Sequence, residues 1–167
     1  LSQKMVAKID MKNDVGPMKG RNVIARRLGK ELPQEKIVLG GHLDSWDLAN
    51  GAIDNGVGSF SIIDVARTYK SLNLENKRTI EFVLFMGEEI GLLGSKHYVN
   101  QALKDGSIEQ IKAMSNMDMT TNPKSYFSTM NSSKGFLDHL SKDVRQYITD
   151  FKENSVVNVG LHSDHQP

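Results

Sequence analysis

The sequence contains no cysteine, so the chain can form neither a disulfide framework nor a thiolate metal site. Any metal ion bound here would need histidine, aspartate and glutamate as ligands. No apolar run approaches the roughly 20 residues that cross a bilayer. The net charge is +1 and no basic cluster stands out. The sequence therefore predicts no membrane span and no nucleic-acid partner.

Length and composition are those of an ordinary globular domain. The chain has 167 residues, of which 38% are hydrophobic and 25% charged, enough to bury a substantial core. We predict a single domain over residues 1–167. Because the sequence stops within the polar segment Leu161–Pro167, we expect this domain to be incomplete at its C-terminus.

Hydrophobic periodicity predicts strands that alternate with helices. The predicted strands are Met5–Met11, Asn22–Leu28, Lys36–Leu39, Thr79–Met86, Ile111–Met119 and Ser125–Met130. Apolar residues at helical spacing predict helices through Ile62–Tyr69, Leu92–Leu103 and Phe136–Ile148. This alternation favours an α/β domain with a central, mainly parallel sheet flanked by helices.

Residues that can bind metals follow two of these strands and close a third, and ligands bind beyond the carboxyl ends of such strands. One more lies in the glycine-rich segment Gly51–Gly58. The candidates are His42, Asp44, Asp54, Glu88, Glu89 and Asp118. Each alone has an ordinary explanation, since an aspartate before a helix is usually an N-cap and acidic residues are common on surfaces. Their joint placement at strand ends favours a metal site.

Glu88 and Glu89 are the most unusual pair, because they follow a fully apolar strand. Neighbouring carboxylates repel each other, and placing them near a buried strand costs solvation free energy. A bound cation removes both objections and lets one carboxylate bind metal while the other handles a proton. A solvated helix start, favoured by the helix dipole, remains the alternative.

Four motifs, taken in order, resemble those of the M28 family of zinc aminopeptidases and carboxypeptidases. They are Gly40–Ser45, Gly51–Gly56, Met86–Ser95 and Met117–Met119. The sequence Ser45-Trp46-Asp47 is similar to the plasma glutamate carboxypeptidase (carboxypeptidase Q) branch. The resemblance implies a central mixed sheet flanked by helices and a cofactor of two zinc ions. It also implies a role for each candidate: His42 and Asp118 would bind one zinc, Glu89 the other and Asp54 both, with Glu88 as general base and Asp44 orienting His42.

The segment Ser163-Asp164-His165 matches a family segment that lies close to the substrate, so we expect substrate contacts there. On the family pattern, the fifth zinc ligand is a histidine later in the sequence than Pro167. The resemblance therefore implies that the second zinc has only Asp54 and Glu89 in this chain, and that the chain by itself is inactive. It also implies a secreted or periplasmic location.

The chemistry implied is hydrolysis of terminal peptide bonds in short peptides by a hydroxide that bridges the two metals. Three ligating carboxylates and this hydroxide would balance the charge of two zinc ions. Zinc lowers the pKa of bound water to about 7, and Glu88 would carry the proton to the leaving amine. Two alternatives stay open, a single-zinc glutaminyl cyclase and a non-catalytic receptor on the same scaffold. The choice between aminopeptidase and carboxypeptidase also stays open.

Overall fold

The computed structural model describes residues 5–14, 16–119, 127–128, 130–148, 151–152, 155–156 and 163–167. Its main sheet has four strands: β1 (Val23–Arg27), β2 (Leu32–His42), β3 (Arg78–Phe85) and β4 (Ile111–Asn116). They lie in the order β1-β3-β2-β4. Strand β2 runs parallel to β3 and β4, whereas β1 is antiparallel to β3. The sheet is therefore mixed and mainly parallel, as the sequence predicts.

The helices lie between the strands in the sequence. They are α1 (Gly58–Ser71), α2 (Leu93–Asp105) and α3 (Lys134–Val144). Single helical turns cover Ser107–Gln110 and Asn131–Ser133, and the segment Ala52–Val57 is kinked because Asp54 and Asn55 have non-helical backbone angles. Two short strands, β5 (Phe127–Ser128) and β6 (Ser155–Val156), pair in parallel. In the part of the chain that the structure describes, no helix has the length and hydropathy needed to span a membrane.

Strand β3 is buried along almost its whole length because helices cover both faces of the sheet. Alternate residues of a strand point to opposite faces. One face of β3 joins the core cluster of Ile62, Ile80, Phe82 and Leu84, against which Val65, Ala66 and Tyr69 of α1 pack. The other face joins the cluster of Val38, Val83 and Phe85, where the ring of Tyr98 from α2 packs edge-to-face on Phe85. The continuous apolar run thus marks a central strand.

Most predicted elements are confirmed, and four differ from the prediction wholly or in part. Met5–Met11 is wrong as a strand: these residues are exposed and irregular, because no neighbouring strand pairs with them among the described residues. Strand β4 ends at Asn116, so Asp118 follows the strand instead of closing it. Helix α3 ends at Val144 and does not reach Ile148. Of the predicted strand Ser125–Met130, Phe127–Ser128 forms β5, and residues 125, 126 and 129 lie outside the described residues.

The register of the parallel strands determines where the candidate residues meet. His42 at the end of β2 lies beside Phe85 at the end of β3, and Gly40 lies beside Asn116 at the end of β4. Strands β2 and β3 therefore end level, and β4 ends beside Gly40, so all three carboxyl ends lie at the same edge of the sheet. The segments that follow β3 and β4 continue from the edge at which His42 stands.

Candidate metal centre

His42 is the most firmly held candidate, with only 1% of its surface exposed. The hydroxyl of Ser59 donates a hydrogen bond of 2.6 Å to the main-chain oxygen of His42. Its Nδ1 atom lies 2.9 Å from the main-chain oxygen of Asp44. A carbonyl oxygen can only accept, so Nδ1 carries the proton and the lone pair of the neutral ring is on Nε2. Nε2 is the nitrogen that a metal ion would bind.

Carboxylates converge on this nitrogen. Asp54 Oδ1 lies 3.1 Å from His42 Nε2, and Asp118 Oδ1 lies 3.5 Å from it. His42, Asp54 and Glu89 each offer a ligand atom, and these three atoms lie within 4.8 Å of one another. His42 Nε2 and Glu89 Oε1 are buried, and neither has a hydrogen-bond partner among the described residues. Imidazole and carboxylate donors at this spacing fit a divalent metal ion.

Asp44 does not hold His42 in the predicted way. Its carboxylate oxygen Oδ1 is 3.7 Å from His42 Nδ1, and the main-chain oxygen makes the closer contact. The carboxylate instead accepts three main-chain N–H groups: Gly87 at 2.9 Å and Glu88 at 3.1 Å on Oδ1, and Glu89 at 3.2 Å on Oδ2. The φ of 81° at Gly87 turns the chain so that consecutive N–H groups face one anion. Asp44 thus fixes the turn that carries both glutamates.

The segment Ser163–His165 also reaches the site. Ser163 donates a hydrogen bond of 2.7 Å to Asp118 Oδ2, and its own hydroxyl accepts one of 2.6 Å from the side chain of Asn116. Ser163 and Asp164 are buried. His165 is partly buried, and burial lowers its pKa. The segment therefore lies against the Asp118 carboxylate; its predicted contact with substrate stays a prediction.

The site is dominated by negative charge. Burial lowers the pKa of His42, but the contact with Asp118 and the charges of Asp118 and Glu88 outweigh it and raise that pKa to about 9. Burial, together with the charges of Asp118, Asp164 and Glu89, raises the pKa of Glu88 to about 7 against the charge of His42. Burial and the charge of Asp54 raise the pKa of Glu89. These raised carboxylate pKa values indicate that a bound cation would stabilise the ionised carboxylates.

An open cleft of about 620 Å³ lies over the two glutamates. Glu88, Glu89, Leu92, Lys96 and Gln166 line it. The glutamates are therefore accessible to a small molecule, whereas His42 is buried and is not among the residues that line the cleft. The structure brings all the sequence-predicted site residues to this one region of the sheet edge, since each contacts another or lies within range of its charge.

Two residues of the site were missed by sequence reasoning. Asn55 is buried beside Asp54 and bonds to the segment around Asp118, and Asn116 bonds to Ser163. An Asp-Asn-Gly sequence looks like an ordinary turn. The signal that could have identified Asn55 is its position next to a predicted ligand, immediately before a helix.

Three comparisons relate this geometry to known proteins. The family model described as "Peptidase family M28" matches residues 22–167. Carboxypeptidase Q from Xenopus laevis is 40% identical over 77 residues, which are 46% of this chain and 16% of that protein. Leucine aminopeptidase 2 from Trichophyton rubrum is 40% identical over 102 residues, which are 61% of this chain and 20% of that protein. The chain thus spans a fifth or less of the length of these curated relatives.

Solved structures agree on the fold. BSAP, a zinc aminopeptidase from Bacillus subtilis, superposes with a TM-score of 0.67 at 27% identity, covering 86% of this chain and 36% of that one. A glutaminyl cyclase from an Acidobacteriales bacterium superposes with a TM-score of 0.61 at 22% identity, covering 86% of this chain and 53% of that one. At that identity the second likeness concerns the fold alone.

Proposed function

This chain belongs to peptidase family M28, and on that basis we propose that it forms the metal-binding part of a zinc-dependent exopeptidase acting on short peptides. One observation carries the proposal: His42, Asp54 and Glu89 bring their ligand atoms within 4.8 Å of one another. A binding module without metal gains nothing from burying an imidazole nitrogen among carboxylates and a glutamate oxygen, neither of which has a hydrogen-bond partner among the described residues.

The residues divide into ligands and residues that position them. We propose that His42, Asp54, Glu89 and Asp118 hold zinc, with Asp54 shared between two ions when both are present. When bound, zinc supplies Lewis-acid polarisation of the scissile carbonyl and a more acidic water. Ser163 fixes Asp118 through its hydrogen bond of 2.7 Å. The buried His42 is held on its other side by the Asp44 carbonyl.

Glu88 is the residue proposed to move protons. It lies next to Glu89 but is absent from the closest ligand group, and it lines the open cleft. Its main-chain N–H is bound by Asp44, so the side chain projects from a fixed turn. A carboxylate in this position accepts the proton of the attacking water and returns it to the leaving amine.

Zinc stoichiometry tests the proposal and separates its alternatives. For the 167-residue chain we expect one tight zinc site by isothermal titration, because the described residues offer one such ligand group. For a protein that contains these residues and the remaining family ligand, we expect two. A single zinc in that longer protein would favour the hypothesis of a glutaminyl cyclase. No bound zinc would favour the hypothesis of a non-catalytic receptor. Two tight sites in the 167-residue chain that fall to one on His165→Ala would make His165 a ligand.

The direction of exopeptidase action needs a separate assay. Hydrolysis of N-blocked and of C-amidated dipeptides distinguishes an enzyme that anchors the substrate carboxylate from one that anchors its amine. Lys96 is the cationic side chain among the residues that line the cleft. If it anchors a carboxylate, Lys96→Met raises KM for N-blocked dipeptides and leaves KM for C-amidated ones unchanged. By family likeness we also propose a secreted or periplasmic location, which cell fractionation tests.

A further inference from the structure

Asn55 connects two segments that carry proposed metal ligands. Only 2% of its surface is exposed. Its Nδ2 atom donates a hydrogen bond of 2.8 Å to the main-chain oxygen of Met117. Its Oδ1 atom accepts one of 3.2 Å from the main-chain N–H of Met119 and one of 3.1 Å from that of Gly58. The residue that follows Asp54 is therefore bonded to both neighbours of Asp118.

The backbone around the side-chain amide of Asn55 is tightly packed. A Cβ atom added to Gly58 would lie 2.2 Å from Asn55 Oδ1 and 2.2 Å from the Met117 oxygen. One added to Gly41 would lie 2.8 Å from the same oxygen. The start of α1, the end of β2 and the segment after β4 thus meet at the Asn55 side chain, in space that only glycines at these positions leave open.

The bond to Met119 holds a backbone conformation that methionine seldom adopts. Met119 has a φ of 51°, in the left-handed region that non-glycine residues visit rarely. Such conformations persist where the surrounding structure over-determines them. The N–H of Met119 is held by Asn55, and Asp118 immediately precedes it. The direction in which the Asp118 carboxylate leaves the backbone therefore depends on Asn55.

We propose that Asn55 is a positioning residue that holds the Asp54 and Asp118 segments together before any metal binds. This inference rests on the proposed metal site. Two carboxylates that face one histidine repel each other, and a flexible pair would separate in the metal-free protein. A side chain that fixes their main chains removes this freedom during folding. Zinc then meets ligands that are already in place, which increases its affinity.

The experiment compares Asn55→Ala with Thr79→Val. Thr79 is a matched control because it too is 2% exposed and joins two backbone segments through its side chain. It accepts a hydrogen bond of 3.1 Å from the N–H of Gly29 and donates one of 2.7 Å to the oxygen of Pro33. It lies near the start of β3, at the opposite end of that strand from the site.

We expect both variants to lose thermal stability in the absence of metal. Zinc affinity, measured by isothermal titration at a temperature where circular dichroism shows both folded, should fall about 10- to 100-fold in Asn55→Ala only. Equal zinc affinities of Asn55→Ala and the wild type would overturn the proposal and leave Asn55 a structural residue. If the wild type itself binds no zinc, the proposed function fails, and the next measurement still tests the role of Asn55.

That measurement is hydrogen exchange at the main-chain amide of Met119 in the metal-free wild type, followed by NMR. We expect this amide to be protected without zinc, because Asn55 already accepts its hydrogen bond. Adding zinc should change the protection little. Exchange as fast as that of an exposed loop amide until zinc is added would mean that the metal, and not Asn55, orders the segment. That result would overturn the proposal even if Asn55→Ala did not fold.

Discussion

Buried or partly buried carboxylates lie in two parts of this molecule, and their charges are balanced differently. In mid-sheet, the side chain of Glu81 is 0% exposed and accepts hydrogen bonds from Arg26 Nε at 2.7 Å and from the Tyr98 hydroxyl at 2.5 Å. Lys36 Nζ lies 3.4 Å away. Burial raises the pKa of Glu81, but the hydrogen bonds from Tyr98 and Arg26 and the charge of Lys36 outweigh it and lower that pKa.

At the carboxyl edge of the sheet the carboxylate pKa values shift in the opposite direction, upward. Burial raises the pKa of Glu88, Glu89 and Asp164, and neighbouring carboxylates raise it further. His42 is the cationic group that acts on all three. The Glu81 cluster thus contains its own counter-charges and needs no ligand. The edge cluster has an excess of negative charge that a bound cation would neutralise. The contrast predicts metal dependence at one cluster and a structural role at the other.

The largest effect is expected at the histidine. His42→Ala removes the imidazole ligand and leaves only carboxylates, so zinc binding should be lost outright in isothermal titration. His97→Ala is the control, because His97 is an exposed histidine on α2. A zinc affinity in His42→Ala equal to that of the control would contradict the assignment of the ligand group.

The second-largest effect is expected from Glu88→Gln, which should reduce the rate of catalysis without reducing metal binding. Loss of a general base typically costs about 10²- to 10⁴-fold in rate. We therefore expect kcat for dipeptide hydrolysis to fall by that factor, in an active protein that carries these residues, with zinc content unchanged by elemental analysis. The exposed Glu109→Gln serves as control. A near wild-type kcat in Glu88→Gln would assign the proton transfer to another residue.

Asp44→Asn tests how the turn of the glutamates is held. The amide keeps one oxygen acceptor but places an NH₂ group where a second oxygen now accepts a main-chain N–H. The bond from His42 to the Asp44 carbonyl survives. In an active protein that carries these residues, we expect a loss of about 10- to 100-fold in kcat, larger than the loss in zinc affinity at the His42 site. Asp47→Asn, at an exposed aspartate, is the control, and equal rates in the two variants would refute the role of Asp44.

The smallest effect on the site is expected from the mid-sheet cluster. Glu81→Gln should reduce the free energy of unfolding by about 1–3 kcal/mol, because a buried charged hydrogen-bond acceptor is lost. Zinc affinity should not change. Chemical denaturation and isothermal titration measure the two quantities. A loss of zinc affinity without a loss of stability would show that the two clusters are not independent.

The same cluster has a predicted pH dependence. The pKa of Glu81 in the folded protein is below its ordinary value of 4.5. Its contribution to stability is therefore fully present above that value and is lost as the pH falls through the lower, folded pKa. Unfolding free energies measured between pH 7 and pH 3 should fall less steeply in Glu81→Gln than in the wild type.

How far the sequence predicts the structure depends on the range of the interactions. The spacing of apolar residues predicts the buried strand β3 and the core-facing side of α1. The prediction succeeds there because the local sequence pattern matches the burial in the fold. The prediction of a strand at Met5–Met11 was wrong, because alternation of apolar and polar residues does not by itself supply a neighbouring strand to pair with. The candidate metal-binding residues could be expected to lie together because the parallel strands end at one edge of the sheet; their role as ligands stays a prediction. The partners of Asn55 lie 62 and 64 residues away at Met117 and Met119, and no local pattern encodes them. The acceptor role of Asp44 likewise depends on the left-handed turn at Gly87.

The way in which Asp44 holds the glutamates has a consequence for protein engineering. Its carboxylate binds the main-chain N–H groups of residues 87–89 and none of their side chains. The hydrogen bonds that hold this turn therefore do not involve the side chains at positions 88 and 89, and the glycine at 87 supplies the positive φ. We therefore expect Glu89→Asp, Glu89→His and Glu89→Cys to keep the three main-chain hydrogen bonds to Asp44. If Glu89 binds metal as proposed, this turn allows the metal preference to be altered by replacing that one ligand.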